Sequence, residues 1–313
     1  MANPIIRPPL HSWQISLYQM SVVKLWIEGA RLRTLPLAIA PIILGSATAA
    51  SLGDFDLLLA VLALLVALSL QVGVNYANDY SDGIRGTDEN RVGPLRLTGS
   101  GSAKPGSVKI AAFASFGFAG LVGLAIVLLT GQWFLVLIGL AAIIAAWFYT
   151  GGKNPYGYAG FGEIAVFVFF GLVATVGTNL IQTGFIDPLA VLVGGAYGLY
   201  ASAVLMVNNI RDIKTDKASG KITVAVRLGE KNSRRLFIWM LWMPVLVNLI
   251  LVLVYPATLL GLLNLLLVIP ATLIALDGRG AKELITALKL ASFAGLGFGV
   301  LVGAGIFFVS FGF

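Results

Sequence analysis

The chain has 313 residues, 58% hydrophobic and 11% charged, and a mean hydropathy of +0.93; this composition excludes a water-soluble globular domain. It has no cysteine and one histidine, which excludes disulfides, thiolate metal sites, cysteine nucleophiles and multi-histidine metal clusters, and leaves oxygen ligands. The net charge of +7 would suit a nucleic-acid partner only if it formed a basic face on a folded domain, so the placement of the charges decides its meaning.

The amino terminus, MANPIIRPPLHSW, lacks the charged-then-apolar pattern of a cleaved signal peptide. Residues 1–33 are expected to form an interfacial segment, with Trp13, Leu17, Met20 and Trp26 on its buried face and Gln19, Lys24 and Arg31 towards the headgroups. Residues 34–313 read as a single all-α transmembrane domain. A hydrocarbon core of roughly 30 Å needs about 20 apolar residues per helix. Nine runs qualify: 34–52, 57–79, 108–130, 132–150, 160–183, 187–209, 233–254, 257–276 and 289–311. They are continuous rather than alternating, which favours helices over the strands of a barrel. Pro41, Pro244 and Pro270 lie inside them and predict kinks. Gly194 with Gly198, and Gly295 with Gly299 and Gly303, have the spacing of close internal helix contacts. The run GYAGFG at 157–162 has no strand before it and is not a dinucleotide loop.

All 21 Lys and Arg fall before the first run, or in or beside the connections that follow the even-numbered runs. Cytoplasmic segments carry such an excess, so the amino terminus is expected in the cytoplasm and Phe313 outside, in a multi-pass protein of the cell (inner) membrane. The basicity then reflects topology and not a nucleic-acid partner.

An ionisable residue at membrane depth is a functional candidate by default. Asp54, Asp56 and Asp187 fall in outer turns and read as solvated turn and helix-start residues. Two other acidic segments end runs two and six on the cytoplasmic side: QVGVNYANDYSDGIRGTDENR and VLMVNNIRDIKTDKASGK. Asn75, Asn78, Asp79 and Asp82 share one helix face, and Asn208 or Asn209 stacks with Asp212 and Asp216 by the same rule. Two such stripes suit a polyphosphate held through Mg²⁺, a hard cation that bridges one or two carboxylates to phosphate oxygens. The metal candidates are Asp79, Asp82, Asp212 and Asp216. A prenyl diphosphate adds about −3 to their charge, and two Mg²⁺ leave a deficit that calls for nearby cations. Arg85, Arg91, Arg96, Lys153, Lys214 and Lys221 lie in the right segments.

These residues resemble the UbiA superfamily of intramembrane prenyltransferases, whose motifs are Asn-Asp-x-x-Asp-x-x-x-Asp and Asp-x-x-x-Asp. Asn78, Asp79 and Asp82 match the first, and Asp212 and Asp216 the second. Gly86 stands where the first motif has its third aspartate, with Asp88 two residues later, so that aspartate's role does not pass to Asp88. Tyr149 and Lys153 resemble the Tyr/Lys segment after the fourth helix, where the lysine holds diphosphate. GARLRTLPLAIAPIILG, NDYSDGIRGTDENRVGPLRLTGSG, YTGGKNPYGYAGFGEIAVFVFFG and NNIRDIKTDKASGKITVAVRLGE are similar, more narrowly, to the branch that prenylates 1,4-dihydroxy-2-naphthoate in menaquinone synthesis. The resemblance implies a nine-helix bundle open to the lipid bilayer, with its polar cap on the cytoplasmic side. It implies a polyprenyl diphosphate donor, Mg²⁺, and release of diphosphate and CO₂. Tyr156 and Glu163 are then candidates to hold or deprotonate the acceptor, and Phe167, Phe169 and Phe170 to line a dry interior.

Two rivals follow from the same residues. A transporter would continue the polar path outward, where only Asn179, Gln182, Asn248 and Asn264 stand in the outer half. A different acceptor, such as 4-hydroxybenzoate, haem or a sugar phosphate, would use the same diphosphate machinery.

Overall fold

The structure, a computed structural model, describes residues 22–87, 95–277 and 280–308, and among these every regular element is helical. The helices are α1 (Val22–Ala30), α2 (Pro36–Ser51), α3 (Leu57–Ile84), α4 (Pro105–Thr130), α5 (Leu135–Phe148), α6 (Gly162–Thr183), α7 (Pro188–Arg211), α8 (Ile213–Ala218), α9 (Val224–Val252), α10 (Pro256–Leu276) and α11 (Ala281–Phe308). Over the described residues each of the nine apolar runs is mainly helical, but the helices differ in length. Seven are long and apolar enough to cross a bilayer alone. An eighth crossing needs α1 and α2 taken together across a 49° bend. α5 has 14 residues, about 21 Å of rise, and falls short of a full crossing by itself.

The outward faces carry large apolar side chains such as Ile110, Leu121, Leu137 and Leu266, more than two thirds exposed, as a protein solvated by lipid allows. α3 packs along α4, α2 along α11, and α7 along α9 and α11. One apolar cluster joins α2, α7, α9, α10 and α11, and a second joins α3, α4 and Leu97. A third, Ile42, Ala63, Ile126 and Ile181, gathers away from the motif ends of α3 and α7.

Small residues set the closest approaches. A Cβ on Gly171 would lie 2.5 Å from the Cα of Gly198, and one on Gly299 would lie 2.7 Å from the Cβ of Ala40. The four-residue glycine spacings thus serve internal packing. α6 accommodates the first approach within a π-helical stretch, Phe167–Val173, the kind of insertion that accompanies functional sites. Pro41, Pro244 and Pro270 lie inside α2, α9 and α10, and α9 also holds a non-helical residue at Gly229, with φ 74 and ψ 166. Asp56 and Asp187 cap the starts of α3 and α7, Asp56 accepting from the Leu59 amide at 2.9 Å. Two of the polar groups at the helix ends away from the motifs, Asn179 and Gln182, bond between elements. Asn179 Nδ2 donates to Thr48 Oγ1 at 3.0 Å, and Gln182 Oε1 accepts from the Asp56 amide at 2.9 Å.

The expected surface face of the amino-terminal segment lies partly outside the described residues, with Trp13, Leu17, Met20 and Gln19 among them. Of the rest, Trp26 packs edge-on against Tyr76 at 5.6 Å, and the Tyr76 hydroxyl donates to the Trp26 carbonyl at 2.9 Å. Arg31 turns inward to a cavity rather than towards headgroups.

Candidate active site

α2 to α7 and α11 line a cavity of about 1660 Å³ that runs from the motif ends of α3 and α7 towards the apolar far halves of the helices. Its deep wall is Ala63, Ile126, Gly139, Ile181 and their neighbours; its mouth holds Gln71, Asn75, Asn78, Tyr149, Tyr156 and Asn208. Five cationic side chains line it, Arg31, Arg33, Arg96, Arg211 and Lys289, and no Asp or Glu does among the described residues. Such a wall selects anions. Phe169 and Phe170 line the cavity as expected, whereas Phe167 packs against Gly198.

The four aspartates stand behind this wall, all buried, each with its own partners. Asp79 accepts from the backbone amides of Leu97 and Thr98 through Oδ2 and Oδ1, at 2.8 and 2.9 Å. It thereby fastens the segment that carries Leu95, Arg96, Gly99 and Ser100 to the cavity. Asp82 accepts from the Tyr158 hydroxyl at 2.8 Å. Asp212 makes a two-point pair with Arg211, both contacts 2.7 Å, and Asp216 lies 3.5 Å from Lys221 Nζ. No three acidic or histidine side chains gather as a metal cage among the described residues.

That arrangement still fits Mg²⁺ as this ion is ordinarily held, through one or two carboxylates with phosphate and water completing its shell. Asn78 and Asp82 offer hard oxygens one turn apart on α3, as do Asp212 and Asp216 across the end of α7. Asp79 differs from the other three in spending both oxygens on backbone.

Tyr158, which its sequence position did not single out, joins the two motifs. Its ring lies under the Arg85 guanidinium at 5.2 Å and the Lys221 ammonium at 5.6 Å, and its carbonyl accepts from the Ile222 amide at 2.9 Å. Burial, and then the charge of Asp82, push its phenol up from the ordinary value. Burial likewise pushes the Tyr156 phenol up to about 12, and its hydroxyl donates to the Ala145 carbonyl at 2.9 Å.

The remaining candidates divide. Arg85 donates to the carbonyls of Thr150 and Gly152 and so braces the Lys153 loop. Lys153 is exposed and is not among the residues that line the cavity. Glu163 is buried and does not line the cavity; it accepts from Asn209 Nδ2 at 2.9 Å, which ties α6 to the helix that carries the second motif. Asn78 accepts from Thr150 Oγ1 at 2.8 Å. Arg91, with Asp88 and Glu89, lies outside the described residues.

Sequence reasoning passed over Arg31, Arg33, Arg211 and Lys289 as topology signals. Arg31 is the only described non-glycine residue with positive φ, at 54, a conformation costing about 1–2 kcal/mol. Hydrogen bonds overdetermine it: Thr34 Oγ1 donates to the Arg31 carbonyl, Asn75 Nδ2 to the Ala30 carbonyl and to Thr34 Oγ1, and Gln71 Nε2 to Thr34 Oγ1, all at 2.9 Å. Asn75 is thus a clamp on this turn. Lys289 had one legible signal, a charge eight residues inside an apolar helix.

Comparison with known proteins agrees with this architecture. Residues 38–293 match the model of the UbiA prenyltransferase family. The chain is 47% identical over 264 residues to a 1,4-dihydroxy-2-naphthoate octaprenyltransferase of Mycobacterium tuberculosis, covering 84% of this chain and 90% of that protein. It is 45% identical over 224 residues to the enzyme of the same name from Escherichia coli, covering 69% and 72%. The fold resembles a UbiA homolog from Aeropyrum pernix, with TM-score 0.66, 17% identity and coverage of 93% and 99%. It also resembles one from Archaeoglobus fulgidus bound to GPP and Mg²⁺, with TM-score 0.60, 18% identity and coverage of 88% and 99%. By the family match and by these identities, the chain belongs to the UbiA prenyltransferase family.

Proposed function

We propose that this protein transfers a polyprenyl group from polyprenyl diphosphate to 1,4-dihydroxy-2-naphthoate, releasing diphosphate and CO₂ and giving demethylmenaquinol, the reduced form of demethylmenaquinone. The observation that carries this reading is the cavity itself, cationic at its mouth and apolar in its depth, with a buried acidic motif at each of two helix ends beside it. It suits a long apolar chain with an anionic head. The names of the relatives supply the acceptor.

Mg²⁺ is the expected cofactor; Asn78 and Asp82, with Asp212 and Asp216, would hold it, and it would supply charge to the leaving diphosphate. The chain's own groups do the rest. Arg96 and Arg211 neutralise the diphosphate from the wall, and Asp212 fixes the Arg211 fork. The allylic C–O bond breaks with its electron pair leaving on diphosphate. The ring carbon bearing the carboxylate then forms the new C–C bond, and the pair freed as CO₂ departs restores the aromatic ring. Phe169, Phe170 and Val173 keep water from the cationic carbon. Nine membrane crossings, with the amino terminus and the motif ends in the cytoplasm of a cell whose inner membrane holds the protein, complete the reading.

Purified protein supplied with Mg²⁺, a polyprenyl diphosphate and, in turn, the naphthoate, 4-hydroxybenzoate, haem or a sugar phosphate is the test. Formation of demethylmenaquinol, recovered as demethylmenaquinone after oxidation in air, with CO₂ is expected. Preference for another acceptor would refute the assignment.

A further inference from the structure

We propose that Arg33 and Lys289, which both line the cavity, form a binding site for the carboxylate of the aromatic acceptor that needs no metal. This rests on the proposed function above and names how its second substrate is held.

Four of the five cations of the cavity fall into two groups by what stands behind them. Arg211 is paired with Asp212, and Arg96 rides on the segment that Asp79 fastens, so both belong to the motif ends. Arg33 and Lys289 come from elements that carry no motif residue, the short turn Leu32–Thr34 and α11. Gly299 lies against Ala40 and Gly303 against Ile43, so α2 and α11 run side by side in the same direction. Ten residues back along α11 from Gly299, about 15 Å, Lys289 reaches the level of the Arg31–Arg33 turn. Ser292, one turn further along α11, also faces the cavity.

Charge matching chooses the occupant. A diphosphate carries about −3 and calls for metal, whereas an aryl carboxylate carries a single charge. Two cations with no acid on the wall suit the carboxylate, and a guanidinium pairs with one through two parallel hydrogen bonds. In an otherwise apolar chamber a carboxylate without such partners would pay a large desolvation cost. The same pair would hold the ring by its acidic edge, opposite the allylic carbon, and would discriminate against rings lacking the acid.

The test measures binding by calorimetry, in lipid nanodiscs, of 1-hydroxy-2-naphthoate, 1-naphthol and Mg²⁺-pyrophosphate to the full chain and to Lys289→Met, Arg33→Gln and Lys289→Arg. Lys289→Met and Arg33→Gln should each weaken the hydroxynaphthoate about tenfold or more, leave naphthol and pyrophosphate within about twofold, and Lys289→Arg should restore most of the loss. Unchanged hydroxynaphthoate affinity, no binding of it by the unsubstituted protein, or an equal loss for pyrophosphate would overturn the assignment. If the binding pattern holds while the unsubstituted protein makes no prenylated naphthoate, the carboxylate site stands and the proposed acceptor falls.

Discussion

Replacing Asp79 by Asn separates two roles for a motif aspartate. Both carboxylate oxygens accept backbone amides, from Leu97 at 2.8 Å and Thr98 at 2.9 Å, and Leu97 is fully buried beneath Gly29 and Tyr76. Hydrogen bonds to a charged acceptor contribute about 1.5–3 kcal/mol each, and an unpaired buried amide costs about 1–3 kcal/mol. Asparagine keeps one oxygen and turns an NH₂ towards the other amide. One charge-assisted bond is lost, the second falls to a neutral one, and one N–H is left unpaired, for a total of about 3–5 kcal/mol against the docked segment. Opening should then become about a hundredfold or more frequent, since 1.4 kcal/mol is a factor of about ten. The assay is hydrogen–deuterium exchange of the peptide spanning 95–104 in nanodiscs, read beside turnover as Mg²⁺ is varied. Faster exchange and greatly reduced turnover at an unchanged Mg²⁺ requirement are expected, because Arg96 and Ser100 leave the wall. Unchanged exchange with a raised Mg²⁺ requirement would refute this reasoning and make Asp79 a direct ligand of the ion.

Other variants probe the remaining links. Asp82→Asn and Asp212→Asn should leave the protein inserted, the 95–104 exchange unchanged, and turnover abolished, whereas Asp54→Asn in an exposed outer turn should match the parent in the same assay. Tyr158→Phe removes the 2.8 Å hydrogen bond to Asp82 and should lower kcat/KM roughly ten- to a hundredfold. Because its phenol is held above the ordinary value and stays protonated, that ratio should be flat with pH across the neutral range, and a pH-dependent ratio would count against the assigned hydrogen bond. Gly171→Leu should destabilise by at least about 2 kcal/mol, since its Cβ would meet the Gly198 Cα at 2.5 Å. Gly123→Leu, where a Cβ meets nothing within 4 Å and faces the cavity, should keep the melting temperature and lose turnover with long donors before short ones. EDTA should stop turnover and added Mg²⁺ restore it, and persistence of full activity in chelator would exclude the proposed ion.

Periodicity and hydropathy alone determined where the apolar helices lie, that Asn75, Asn78, Asp79 and Asp82 share a helix face, and that Asp56 and Asp187 start helices, because these depend on neighbours within a turn or two. The broken first crossing and the short α5 were less legible, since a run's apolar length does not reveal where the backbone bends. Only tertiary packing decided what each charge meets. Arg31 and Asn75 are 44 positions apart, and Tyr158 and Asp82 are 76 apart, and no local pattern encodes such pairings. The same holds for Lys289, which as a sequence feature marks a cytoplasmic side and in the fold faces a cavity, because α11 lies alongside α2. Helix formation is a short-range matter of hydrogen bonds and solvent, whereas the meeting of distant side chains depends on how closely the helices approach, here at Gly171 and Gly299.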